Sequence, residues 1–297
     1  MVSGYCMGMS TKRAFSDGVN SSSYVTYFSK RFLRIAIPYY ISILFWVFLI
    51  RNYSIAVKPT EFYDILSHVL FFHNFNEETM FSISGVYWSI AVEMQFYLLL
   101  PFVVVCCKSS KRKTTILIIS ALVSNLTNFM SNYRLLTWSI SSYLYLFILG
   151  WFLFSFSEIT VSKRLIYIVR LISAFSFIVL LFYKGSGFDN NIKVYEIIVA
   201  SIAAIAMWSC ILLHAHNEGK PFLWINILSF IGKCSFSIYL YNYIFWALPR
   251  EHMTTTFALV SFCIVIAFGV LMHFMIEQPS EILRKSIFRK RVNTLTT

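Results

Sequence analysis

Residues 85–102, GVYWSIAVEMQFYLLLPF, are apolar enough to enter a bilayer, yet a carboxylate, Glu93, stands in their middle. A charge at bilayer depth costs at least about 2.5–3.5 kcal/mol even on lenient insertion scales, so such a residue faces a protein interior or a water-filled cavity. Ser89 and Tyr97 lie four residues to either side of Glu93. That spacing sets all three on one face of a helix, a polar stripe on an otherwise apolar rod. A carboxylate beside two hydroxyls can accept or orient a proton. The same stripe suits an interhelical hydrogen-bonding tie. Trp88 opens the segment as an interfacial anchor, and Pro101 bends its exit.

Three other groups carry chemistry. In KRFLRIAIPYY, residues 30–40, Arg31 and Arg34 share one face at the start of a helix. Paired guanidiniums suit a phosphate or carboxylate because each offers a planar fork of donors; they also serve as plain topology anchors. In SFSIYLYNYIFW, residues 235–246, the amide of Asn242 stands among aromatics, where a helix–helix hydrogen bond is the simpler role. His68 and His73 lie on an amphipathic segment, 62–75, assigned to the side opposite the arginines. A general base for an external substrate would belong there. His214, His216, His252 and His273 follow no convergent pattern. Cys6, Cys106, Cys107, Cys210, Cys234 and Cys263 lack metal-ligand spacing, so neither a metal site nor a disulfide framework is expected.

The elements that must hold these groups are membrane helices. The chain of 297 residues is 58% hydrophobic and 13% charged, against about 25% charged in a soluble domain. Only helices and closed barrels satisfy their backbone in lipid, and the apolar runs exceed barrel strands of about ten residues. The predicted fold is all-α, a polytopic transmembrane bundle forming one domain over residues 1–297 with a basic tail at 284–297. Eight full spans are predicted, near 35–50, 86–107, 114–130, 138–157, 165–183, 195–214, 234–248 and 255–276. Residues 1–10 are too short to span and read as the end of a helix. Segments 62–75 and 222–231 read as interfacial.

The net charge of +12 is a topology signal, not a nucleic-acid surface. Most Lys and Arg gather in alternate loops: Lys12 to Arg34, 108–113, Lys163, Arg164, Lys220 and the tail. The positive-inside rule then sets the C-terminus in the cytoplasm, with some affinity for anionic lipid headgroups. In that topology residues 1–10 run inward, which predicts one further helix upstream.

These strings, in their order, resemble a known family. WSIAVEMQFYLLLP, preceded by FFHNF and SGVY, is similar to the signature of the acyltransferase-3 family of integral membrane acyltransferases, which includes O-acetylases of bacterial surface polysaccharides. SGYCMG resembles the end of that family's second helix, and KRFLRIAIP its R-x-x-R element through Arg31 and Arg34. FILGWFLF, GKCSFSIYLYNYIFW and the closing EQP (Glu277, Pro279) also fit. The resemblance implies transfer of an acyl group, usually acetyl, from cytoplasmic acetyl-CoA to a hydroxyl of a cell-envelope glycan such as lipopolysaccharide, capsule or exopolysaccharide. The setting it implies is the bacterial inner membrane. Acyl-CoA is then a co-substrate, with membrane lipid and a glycan or lipid-linked glycan as partners, and neither a bound cofactor nor a metal. Arg31 and Arg34 would face the donor; Glu93, Ser89 and Tyr97 would act deeper; Trp88, His73 and Asn242 would lie on the acceptor side. Two features depart from the pattern. The family's first helix, with its Arg and catalytic His, has no counterpart, and Asn242 stands where many members carry His. A flippase or secondary transporter using Glu93 and Arg170 as buried charges is the alternative, without the repeated broken helices such carriers show. An inactive, shortened family member is the third reading.

Overall fold

The computed structural model describes residues 1–16, 18–107, 109–129, 134–156, 161–182, 193–216, 223–243 and 254–293. All regular elements among them are helical: α1 (Val2–Ala14), α2 (Ser21–Tyr53), α3 (Phe62–Val69), a 3-10 turn (His73–Phe75), α4 (Glu77–Met80), α5 (Trp88–Cys106), α6 (Ser110–Phe129), α7 (Arg134–Thr137), α8 (Ile140–Phe156), α9 (Lys163–Phe182), α10 (Lys193–His216), α11 (Leu223–Tyr241), α12 (Thr255–Met272) and α13 (Gln278–Asn293). A π-helical segment, His273–Glu277, joins α12 to α13.

Each predicted span falls on a helix, with the ends of several outside the described residues. Among the described residues four stretches are long and apolar enough to cross a membrane: Ser21–Tyr53, Trp88–Cys106, Leu135–Ser155 and Thr256–Arg289; Ile198–Leu212 and Ile225–Tyr241 are shorter apolar helices. One expectation is corrected. α11 runs unbroken from Leu223 to Tyr241, so the interfacial segment assigned to 222–231 and the start of the next span are one helix. No proline interrupts it, and Gly232 in its interior costs only about 1 kcal/mol.

The chain forms two compact units, Met1–Tyr24 with Gln95–Lys220, and Val25–Met94 with Pro221–Thr297. In the first, α1 packs on α8 through glycines. A Cβ at Gly4 would overlap the backbone of Phe147, one at Gly8 the Phe154 side chain, and one at Gly150 the backbone of Met1. Small residues at i and i+4 let two backbones approach closely, which replaces the hydrophobic drive that lipid removes. The Trp151 indole donates to Thr11 Oγ1 at 3.4 Å across the same seam.

In the second unit α2 is the reference axis. The Trp46 indole donates to the Leu240 carbonyl at 3.0 Å, in the last turn of α11. Gly269 lets α12 come against Ile238 of α11. On α3 the polar side chains Asp64, Ser67 and His68 are buried, while Phe62, Tyr63, Leu66, Val69 and Leu70 are exposed. This inverts the pattern of a soluble amphipathic helix and suits one whose outer face meets lipid. The Asp64 carboxylate accepts from the Glu61 backbone N–H at 2.8 Å and fixes the first turn.

Candidate active site

The polar stripe of α5 divides between two sets of neighbours. Ser89 Oγ lies 2.6 Å from the Tyr239 hydroxyl, and Tyr239 in turn donates to the Val86 carbonyl. Tyr239 has one proton to give, so Ser89 is the donor in the first bond. Glu93, half-buried one turn on, lies within electrostatic reach of the same Tyr239 hydroxyl. Tyr97 is buried and shares a 3.2 Å hydrogen bond with Ser3. Ser89 and Glu93 therefore face one tyrosine of α11, and Tyr97 ties α5 to α1.

A second feature lies beside the first. His68 and His73 are fully buried and stack face to face, ring centroids 3.9 Å apart and planes 5° from parallel. The chain makes this stack by ending α3 and reversing at Phe71, whose φ of 58° is rare for a side chain of that size. His68 Nδ1 lies 2.8 Å from the Asp64 carbonyl. A carbonyl only accepts, so Nδ1 carries the proton and the lone pair is on Nε2. Among the described residues, His68 Nε2, both ring nitrogens of His73, the Tyr39 hydroxyl and Ser84 Oγ are buried without a hydrogen-bond partner.

Tyr87 links these groups. Its ring lies 4.9 Å from that of Tyr39 and 6.0 Å from that of His68, and its hydroxyl donates to Ser42 Oγ at 2.8 Å. A buried polar atom left unpaired costs about 1–3 kcal/mol. A core built for packing alone would not gather several of them. The cluster fits a guest that both donates and accepts, a hydroxyl or water.

Burial pushes His68 down to about 4, against the smaller upward pull of the Asp64 and Ser82 backbone. Burial also lowers His73, with His68 adding to it; the Ser67 and Tyr87 backbone favours the protonated ring without reaching hydrogen-bond geometry. Both rings are neutral at pH 7. A neutral imidazole with its Nδ1–H fixed and its Nε2 open has the form of a proton acceptor.

The histidine segment does not stay opposite the arginines. Phe71 packs against Phe32 at 6.0 Å and stacks on Tyr39 at 5.2 Å, so the segment returns along the stretch of α2 that carries Arg31 and Arg34. Arg31 is half-buried and Arg34 exposed. Trp88 is half-buried at the start of α5. Asn242, just past α11, is half-buried with its Oδ1 enclosed and unpartnered.

Sequence reasoning missed the pairing of His68 with His73, together with Tyr39, Tyr87 and Tyr239. The available signal was Asp64, Ser67 and His68 at helical spacing on one face of an otherwise apolar segment. It also missed His273 Nδ1, which lies 2.8 Å from Glu277 Oε2, an oxygen that accepts from Ser237 at 2.6 Å. Among the described residues no group of His, Cys, Asp and Glu converges as a metal site.

Residues 1–274 match the family model described as an acyltransferase domain. No curated protein and no solved structure matches the chain.

Proposed function

The chain belongs to the acyltransferase-3 family, and from that membership we propose that it is a membrane O-acyltransferase moving an acyl group, acetyl in the simplest case, from cytoplasmic acyl-CoA to a hydroxyl of a cell-envelope glycan. The observation that supports a hydroxyl acceptor is the buried His68–His73 stack, in which Nε2 of His68 is without a hydrogen-bond partner and the His68 ring lies 6.0 Å from that of Tyr87. Arg31 and Arg34 take the donor's phosphates by charge-assisted forks. Tyr39 stands about 7.5 Å along α2 from Arg34 at the helical rise, so donor and acceptor groups share one stretch of this helix.

The reaction needs a base for the attacking hydroxyl, and His68 Nε2 has the lone pair for it. The hydroxyl oxygen attacks the thioester carbonyl carbon. The new C–O bond forms and the C–S bond breaks. The hydroxyl proton passes to His68 Nε2 and then to the departing CoA thiolate. Ser89 and Tyr239, with Glu93 beside them, orient the reacting groups. The setting is the bacterial inner membrane with the C-terminus in the cytoplasm. The test is incubation of membranes containing the chain with acetyl-CoA labelled in its acetyl group. Label in the glycan, released by mild base as an ester would be, is the expected result. An unlabelled glycan overturns the reading.

A further inference from the structure

We infer that the contact of α2 with α13 is a phosphate-binding site formed by Arg34, Arg284 and Lys285 with Lys30, and that it holds the phosphates of the nucleotide end of acyl-CoA. The inference rests on the acyltransferase reading and extends the donor site from α2 to the C-terminal helix. Two side-chain interactions, met in opposite order along the two helices, link α2 to α13. Lys30 Nζ stands 5.4 Å over the Phe288 ring. One turn along α2, Arg34 lies within electrostatic range of Glu281, a weaker influence on that carboxylate than Arg284 or Lys285. Arg284 closes on that carboxylate with two bonds, Nε at 2.7 Å and Nη2 at 2.6 Å. Lys285 Nζ is 3.6 Å from the same carboxylate.

Glu281 is paired with Arg284 and Lys285 on its own helix and lies within electrostatic range of Arg34, while Lys30 sits over Phe288 further along the same helix. Its forked bond with Arg284 holds that guanidinium in place at 17% exposure, while Lys285 stays 70% exposed. Among the described residues these contacts bring four cationic side chains to one carboxylate, a net positive charge that favours an anion there. Planar forks beside a compact ammonium suit phosphate oxygens. Two sources carry that chemistry, the nucleotide end of acyl-CoA and the headgroup of an anionic phospholipid. The adjoining Arg31 and the histidine segment beside it on α2 favour the first.

The experiment measures binding of CoA itself by calorimetry, with the chain in phosphatidylcholine nanodiscs, so that it does not depend on turnover. Arg284→Gln and Lys285→Gln are each expected to weaken CoA binding about tenfold or more. Binding of pantetheine, which lacks the phosphates, is expected to be unchanged. Glu281→Gln removes the competing carboxylate and is expected to bind CoA more tightly. Unchanged CoA affinity in the Arg284 and Lys285 variants overturns the inference. So does Glu281→Gln weakening CoA as much as Arg284→Gln, which would mark a structural tie. If phosphatidylglycerol in the discs abolishes the difference between wild type and variants, the ligand is lipid and the donor assignment falls. Wild-type CoA binding without acyl transfer would count against the proposed reaction while leaving this site standing.

Discussion

The imidazoles of His68 and His73 lie 3.9 Å apart, nearly parallel, with neither side chain reaching solvent. Two protonated rings could not share that position. Each is held neutral by burial, and the Asp64 carbonyl decides which nitrogen of His68 keeps its proton.

Replacement of His68 by Gln tests whether the open Nε2 matters. Gln keeps polarity and much of the volume but cannot take a proton. Glycan acylation is expected to fall about 100-fold or more, with the amount of protein in the membrane unchanged. Acyl content of the purified glycan, normalised to membrane protein, is the measurement. Acylation near the wild-type level would remove His68 from the mechanism.

The stack also gives a pH dependence of stability. The unfolded histidine titrates near 6.5, and folded His68 near 4. Between these values the unfolded chain binds more protons, so stability rises with pH across the window. The stabilisation is complete above about 6.5 and is lost as pH falls towards 4. Thermal unfolding in detergent, followed from pH 7 to pH 4, is expected to show a falling midpoint that flattens in His68→Gln. An equal slope in that variant would exclude the stack as its source.

Glu93→Gln retains shape and hydrogen bonding and removes charge. Insertion and abundance are expected to be normal and most acylation lost, because an electrostatic or proton-accepting role needs the carboxylate. Full acylation by the Gln variant would leave Glu93 as an interhelical tie.

Tyr239→Phe and Tyr97→Phe separate the two ends of the stripe. The first removes the partner of Ser89 and the donor to Val86, and is expected to lower acylation at least tenfold. The second removes a hydrogen-bond partner of Ser3. It is expected to leave acylation unchanged and to lower stability by about 1 kcal/mol. Equal effects of the two on activity would contradict this division.

The proposed orientation, read from the loop charges, has position 111 in the cytoplasm. A single cysteine there, in a chain whose native cysteines are replaced, is expected to resist an impermeant thiol reagent in intact cells and to react after lysis. Labelling from outside would reverse the direction of transfer.

The sequence alone determined the class of molecule, because hydropathy and helical period are properties of neighbouring residues. The apolar runs become α2, α5, α8 and α12. The i, i+4 spacing of Ser89 and Glu93 and the i, i+3 spacing of Arg31 and Arg34 survive unchanged on their helices. Continuity of α11 was misread because a change from mixed to apolar composition does not itself end a helix. Tertiary structure alone decided the partners. Ser89 meets Tyr239, 150 residues away. Lys30 meets the Phe288 ring, on α13 near the other end of the chain. His68 and His73 come face to face only because α3 ends before Phe71 turns the chain back along Tyr39. Spacing fixes a face, but which hydroxyl or ring fills the space opposite depends on contacts between distant segments, and no local pattern encodes those.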